Sequence, residues 1–167
     1  MMRACHLLTG AALAVAFALP ALAEGERGKV TNLPIPRYVS LKAEEGNARR
    51  GPSLAHRIDW VFTRRNMPLR VTGEYGHWRR VQDRDGQGGW MHYSLLSGVR
   101  HVIVERDLVP MRTKPTSESG VAAYAEAGVV ARLGSCVATW CRVSKDGRDG
   151  WVPKTVLWGV LDGEVRD

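Results

Sequence analysis

The sequence has little phenylalanine, few cysteines and no apolar run long enough to cross a membrane. It holds 2 Phe and 3 Cys among 167 residues, and its longest uncharged apolar run, residues 7–19, falls short of the roughly 18 residues that a membrane-spanning helix needs. Apolar residues make up 44% and charged residues 25%, which excludes a disordered tail, a collagen-like fibre and a multi-span membrane protein. The chain also lacks sustained helical periodicity, whereas it has 18 Gly and 6 Trp. This combination favours small β structures with tight turns.

The first 23 residues have the layout of a secretory signal peptide. Arg3 precedes the apolar run, Pro20 ends it, and Ala21-Leu22-Ala23 places small residues before a cleavage point. We expect cleavage after Ala23 and a periplasmic or secreted protein, with residues 24–37 as an extended lead segment. The alternative, an uncleaved membrane anchor, is disfavoured by the short run.

Two cysteines, Cys136 and Cys141, remain in the predicted mature chain. An even pair in an oxidising compartment predicts a disulfide, and a separation of five residues suits the two arms of a hairpin. A catalytic thiol is the alternative. It would need a partner base, and a second cysteine five residues away is better explained by a disulfide. No Cys or His spacing typical of zinc sites occurs, so we expect no metal and no cofactor.

The predicted mature chain contains an internal repeat. Residues 76–81 match 138–143 at an offset of 62, while 89–91 match 150–152 and 96–99 match 157–160 at an offset of 61. Matched blocks at one spacing predict two similar units, residues 38–100 and 101–167. Each unit has short β-branched segments separated by turn signals such as Asp85-Gly86 and Asp146-Gly147. We expect an all-β protein of two consecutive small barrels, with a turn at 73–76 in the first.

The repeated blocks read Trp-x-x-Val, an Asp-Gly turn, then Gly-Trp-Met or Gly-Trp-Val, at Trp78 to Met91 and Trp140 to Val152. This pattern resembles the bacterial SH3-like domain, in tandem, over residues 38–160. The resemblance implies small barrels that bind rather than catalyse, and that contact peptidoglycan peptides or accompany cell-wall enzymes. We therefore expect no enzyme activity, no nucleic acid partner and no membrane span, but an envelope-binding protein. The alternative is an adaptor that binds another exported protein through a sheet edge or groove.

The tryptophans that recur at matched positions allow two interpretations. Trp78, Trp90, Trp140 and Trp151 could pack a core, or they could line a ligand groove, since an aromatic ring offers large apolar area and a polar edge. The groove interpretation gives five candidate ligand residues in the first unit: Tyr75, His77, Trp78, Trp90 and Tyr93.

Positive charge is concentrated in the first unit. Residues 41–100 hold 11 Lys and Arg against 6 Asp and Glu, whereas residues 101–167 hold 9 of each. This imbalance favours an anionic envelope partner, although a basic surface that only aids solubility is the alternative. The candidate residues for an anionic surface are Arg49, Arg50, Arg64, Arg65, Arg79 and Arg80.

The repeat also relates the cysteines to two charged residues. Cys136 aligns with Glu74, and Cys141 aligns with Arg79. We expect the same cross-hairpin position to hold a disulfide in one unit and an exposed ion pair in the other. The disulfide should then be structural rather than catalytic.

Overall fold

The computed structural model describes residues 26–167, and the predicted signal peptide, residues 1–23, lies outside the described residues. Two seven-stranded antiparallel sheets follow one another along the chain. Module 1 comprises β1 (Arg37–Leu41), β2 (Gly46–Arg49), β3 (Ile58–Phe62), β4 (Pro68–Tyr75), β5 (Trp78–Gln82), β6 (Gly88–His92) and β7 (Leu96–Ser97). Module 2 comprises β8 (His101–Val104), β9 (Val109–Arg112), β10 (Val121–Ala125), β11 (Val130–Cys136), β12 (Trp140–Lys145), β13 (Arg148–Pro153) and β14 (Leu157–Trp158).

The two sheets have the same strand order, which confirms the predicted all-β tandem fold. Module 1 runs β3-β2-β6-β5-β4-β1-β7, and module 2 runs β10-β9-β13-β12-β11-β8-β14. One turn of 3-10 helix precedes the last strand of each module, at Tyr93–Leu95 and Lys154–Val156. No helix in the described part of the chain has the length and apolar character that a bilayer span requires.

Each module has its own apolar core, formed by residues that alternate along the strands. In β5, Val81 is buried while Trp78 and Gln82 are half-exposed, and β12 repeats this pattern with Val143 buried and Trp140 half-exposed. The module 1 core consists of Leu41, Ala48, Phe62, Leu69, Val71, Val81 and Met91. Fully burying a valine, leucine, phenylalanine or methionine side chain stabilises the fold by roughly 1.5–3 kcal/mol. The recurring tryptophans belong to neither core cluster.

The predicted turn at residues 73–76 is wrong. Strand β4 continues to Tyr75, and the turn lies at Gly76 and His77, where Gly76 has a φ of +49°. A bulge between Val71 and Gly73 shifts the register. The glycine at 73 therefore marks an irregular strand, which the sequence signal could not distinguish from a turn.

The aligned hairpin positions pair across the strands as the repeat predicts, although the ion pair is not exposed. Glu74 pairs with Arg79, and Cys136 pairs with Cys141 and forms a disulfide with it. The Glu74 side chain is fully buried, and that of Arg79 is 9% exposed. The expectation of an exposed pair is wrong because the lead segment folds over this hairpin.

The lead segment wraps around the Glu74 carboxylate. Oε2 accepts hydrogen bonds from the backbone N–H groups of Val30 and Thr31, at 3.0 and 2.9 Å. Oε1 accepts from Thr31 Oγ1 at 2.6 Å and from Arg37 at 2.7 Å. A side chain at Gly28 would collide with this carboxylate, so a larger residue there would displace it from these hydrogen bonds. The lead segment is consequently fixed to module 1.

The modules meet where β1 of module 1 contacts β8 and β14 of module 2. Ser40 Oγ lies 3.0 Å from His101 Nδ1, and both residues are buried. The rings of Tyr38 and Trp158 pack edge to face at 5.1 Å, and the Arg100 guanidinium lies 5.5 Å from the Tyr38 ring centroid. Trp158 thus packs against the neighbouring module.

Candidate functional site

An open cavity of about 620 Å³ lies on module 1 between the β2–β3 loop and the β5–β6 hairpin. Its walls are Ser53, Leu54, His77, Trp78, His92, Ser94 and Leu95. Trp78 and His92 are opposite each other across β5 and β6, and their rings pack edge to face at 5.6 Å. Because both are at outward-facing strand positions, this cavity lies on the surface of the barrel rather than in its core.

Tyr93 completes a cluster of aromatic and imidazole rings at the cavity. Its ring centroid lies 5.6 Å from that of His77 and 4.9 Å from that of His92. The Tyr93 side of the cluster is open to solvent, since this residue is 50% exposed. The Arg79 guanidinium lies 6.0 Å from the Tyr93 ring centroid, within cation–π range. Flat rings and a phenol are therefore presented together, and the buried Arg79 guanidinium packs beside the phenol ring.

Hydrogen bonds fix His92 in this cluster. Its Nδ1 lies 2.8 Å from Ser94 Oγ and accepts a hydrogen bond from the Ser94 N–H at 3.4 Å. This bond also caps the 3-10 turn that carries Tyr93.

Arg49 holds the loop on the other side of the cavity. Its guanidinium donates to the carbonyl oxygens of Leu54 and His56, at 3.2 and 2.7 Å. The Leu54 side chain is 76% exposed and forms a wall of the cavity. Arg49 is thus a positioning residue for this loop.

The structure brings three of the five predicted groove residues together. His77, Trp78 and Tyr93 share the cluster, whereas Trp90 lies further along the sheet and lines a separate pocket beside the lead segment. Tyr75, at the end of β4, is exposed and does not line this cavity.

Sequence reasoning missed His92 and Leu54. His92 had a usable signal, because it follows Trp90 by two residues and so shares its face of β6. Leu54 had none, because an exposed leucine in a loop has no pattern that separates it from any other surface residue.

The predicted anionic surface is only partly available. Arg79 is 8% exposed and donates to the carbonyl oxygens of Gly76 and Trp78, so it is not a surface residue. Arg50 is paired with Asp59 at 3.1 Å, and Arg65 with Glu44 at 3.0 Å. Among the described residues, Arg64 and Arg80 have no ion-pair partner.

The corresponding place in module 2 lacks the ring cluster. Thr139, Pro153 and Lys154 take the positions of His77, His92 and Tyr93. Lys154 is buried, and its Nζ donates to three carbonyl oxygens, those of Ala138, Asp162 and Glu164, at 2.7–2.9 Å. In module 2 this position therefore ties down the C-terminal segment.

Within residues 26–167, no three His, Cys, Asp or Glu side chains converge as a metal site would require. The disulfide removes Cys136 and Cys141 from that set. The ring cluster is suited to binding an organic ligand through apolar contact and hydrogen bonds.

Comparison with known proteins identifies the modules. The sequence profile of the bacterial SH3 domain matches residues 42–98 and again residues 105–159. Among solved structures, the chain is similar to NlpC2 from Trichomonas vaginalis, with 12% identity and a TM-score of 0.35, over 74% of this chain and 48% of that one. NlpC1 from the same organism gives 13% identity and a TM-score of 0.35, over 73% and 45% of the two chains. The chain spans about half the length of these structures, and no curated protein matches it.

Proposed function

The chain belongs to the bacterial SH3 domain family, and we propose that it is a non-catalytic binding protein of the cell envelope whose module 1 binds a cell-wall peptide. The observation that carries this proposal is the open ring cluster of His77, Trp78, His92 and Tyr93. Ligand sites are typically concave and largely apolar, with a few fixed polar groups. This cavity has that character. The matching place in module 2 is also a cavity, of about 390 Å³ beside Trp140 and Pro153, but it lacks the imidazole and phenol groups of the ring cluster.

The proposal includes export through the predicted signal peptide at residues 1–23. Disulfides persist in oxidising compartments and are rare in the cytosol, so the pairing of Cys136 with Cys141 agrees with an envelope location. Peptidoglycan peptide is the ligand class we favour, because it is abundant in that compartment and is implied by the family resemblance.

Co-sedimentation with purified cell-wall sacculi tests the proposal. His77→Ala combined with Tyr93→Ala should lower the affinity about thirtyfold, since the few central residues that dominate a binding site contribute about 1 kcal/mol or more each and 1.4 kcal/mol is tenfold. Tyr124→Ala is the matched control, because Tyr124 is an exposed tyrosine of module 2 outside this cavity. Binding that depends on the rings should persist when salt rises from 0.1 to 1 M and the Debye length falls from about 10 to about 3 Å.

Two results would contradict the proposal. The wild-type protein could fail to sediment with sacculi, or the double variant could bind as tightly as the Tyr124 control. Hydrolysis of sacculi by the purified chain would contradict its non-catalytic part.

A second candidate function is an adaptor that adds an extended segment of another exported protein to the edge of module 1. Strand β3 is the edge of its sheet, and Ile58, Trp60 and Val61 are exposed on it. Exposed apolar edge strands pair readily with other chains. Val61→Lys should abolish capture of a discrete protein partner and leave sacculus binding unchanged.

A further inference from the structure

The outer face of the β5–β6 hairpin continues past the ring cluster to a second, cationic pocket. The cross-strand pair Arg80 and Trp90 follows the pair Trp78 and His92, two residues further along each strand. Residues two apart on one face of a strand are separated by about 7 Å. The two pockets are therefore neighbours on one continuous surface.

The second pocket has a volume of about 180 Å³ and lies between the lead segment and the sheet. Its walls include Arg27, Lys29, Thr72, Gly73, Arg80 and Trp90. Gly73 leaves this part of the Trp90 ring uncovered, because a Cβ at this position would lie 3.9 Å from the ring, in van der Waals contact with it. Glu26 is the one unengaged acid on its rim, since the Glu74 carboxylate is occupied by the lead segment and Arg37.

Module 2 indicates which group this pocket accepts. Arg142 and Trp151 form the same cross-strand pair there, and Arg142 Nε donates to Asp149 at 2.7 Å. In module 2, the guanidinium beside the tryptophan is therefore paired with a carboxylate.

Strand β6 of module 1 cannot supply that carboxylate, which leaves Glu26 of the lead segment as the one acid near Arg80 that is not already engaged. Gly88 stands where module 2 has Asp149, and any side chain at Gly88 would collide with the carbonyl oxygen of Val81. Arg80 is exposed and has no ion pair with any residue from 26 to 167. Its guanidinium is therefore open to a carboxylate from a ligand.

We propose that Arg80, Lys29 and Trp90 form a subsite for the free C-terminal carboxylate of an extended peptide. This inference rests on the proposed function, because the rest of the peptide would lie over the ring cluster. A spacing of about 7 Å corresponds to two residues of extended chain. The residue two positions before the terminus would then contact Trp78 and His92.

The test compares tri-alanine as the free acid with its C-terminal amide, using NMR titration of the ¹⁵N-labelled chain. The free acid should shift the Trp90 indole and Arg80 signals, and the amide should bind about three- to fivefold more weakly, as expected for an exposed charge pair. Arg80→Gln should remove the difference between the two peptides. Arg142→Gln is the matched control and should preserve it.

Three outcomes would overturn the inference. The free acid could leave the Trp90 signal unmoved, Arg80→Gln could retain the full acid-over-amide preference, or inorganic phosphate could shift the same signals as strongly as the acid, which would indicate a general anion site. These results are independent of the sacculus assay, which fails only if the ring cluster does not bind the cell wall. The two proposals can therefore fail separately.

Discussion

Replacing Glu74 with Gln should release the lead segment and destabilise module 1. The carboxylate is fully buried and accepts four hydrogen bonds, from two backbone N–H groups, Thr31 Oγ1 and Arg37. Glutamine is nearly isosteric, but its amide group would meet donors where an acceptor is needed. The change therefore removes the charge and at least one set of hydrogen bonds without leaving a cavity.

The pKa of Glu74 gives the magnitude. Burial alone would raise this pKa, but hydrogen bonds from Thr31, Arg37 and Val30 outweigh burial and lower it from 4.5 to about 2. At about 1.36 kcal/mol per pKa unit, this difference corresponds to about 3 kcal/mol of stability. Because the folded-state pKa is below the unfolded value, the contribution is present above pH 4.5 and is lost as the pH falls toward about 2.

Thermal unfolding and limited trypsin digestion measure the effect. At neutral pH, Glu74→Gln should lower the melting temperature of module 1 by on the order of 10 °C and make the released lead segment cleavable by trypsin after Lys29, which is exposed but held in place in the wild type. The wild-type and variant stabilities should converge near pH 2. Glu44→Gln is the control, since Glu44 forms an exposed ion pair with Arg65, which contributes below about 1 kcal/mol. Equal stability and equal trypsin resistance of the Glu74 variant and wild type would refute the reasoning.

Two further predictions concern module 2 and the junction. Replacing Cys136 and Cys141 with Ser should lower the free energy of unfolding of module 2 by roughly 2 kcal/mol, the value for so short a disulfide loop. Ligand binding by module 1 should stay intact. Two reactive thiols in a thiol titration of the native protein would contradict the structural role. Burial at the junction, together with the charges of Arg132 and Lys145, lowers the pKa of His101 below 6.5 despite a hydrogen bond to the Val99 backbone. The unfolded chain therefore binds the proton more readily, so the free energy of unfolding should fall as pH drops below 6.5 in wild type. His101→Gln should remove that dependence in a urea titration across pH, and an unchanged profile would contradict the assignment.

The hairpin alignment is the part of the site that sequence reasoning predicted best. The repeat placed Glu74 opposite Arg79 and Cys136 opposite Cys141, and both pairings are confirmed. The pairing register of a hairpin is set by the two-residue alternation of its side chains and by the length of its turn. Matched sequence blocks in the two units therefore predict the same pairing register in both. Burial of the charged pair could not be predicted, because it depends on the lead segment, which is distant in sequence and has no counterpart in the repeat.

The recurring tryptophans show the same limit. Their positions predicted a shared role, but periodicity did not choose between the core and the surface, since either face of a strand can hold an aromatic ring. The structure places Trp78 at the ring cluster and Trp90 beside the lead segment, although both lie on the outer face of one hairpin. The sequence predicted the hairpin on which the two pockets lie two residues apart. It did not predict that the β2–β3 loop and the lead segment form the other walls of these pockets.

The sequence by itself determined the class of fold, the duplication, the disulfide and the excess of positive charge in the first half, because these depend on local pattern and composition. Only the tertiary structure decided which cationic side chains are available, since Arg79 is buried with Glu74 while Arg80 is open. It also decided that Tyr38 and Trp158, which are 120 residues apart in the numbering, pack together at the junction. Contacts of this kind depend on how distant segments pack, and pairwise packing over such separations leaves no periodic signal in one sequence.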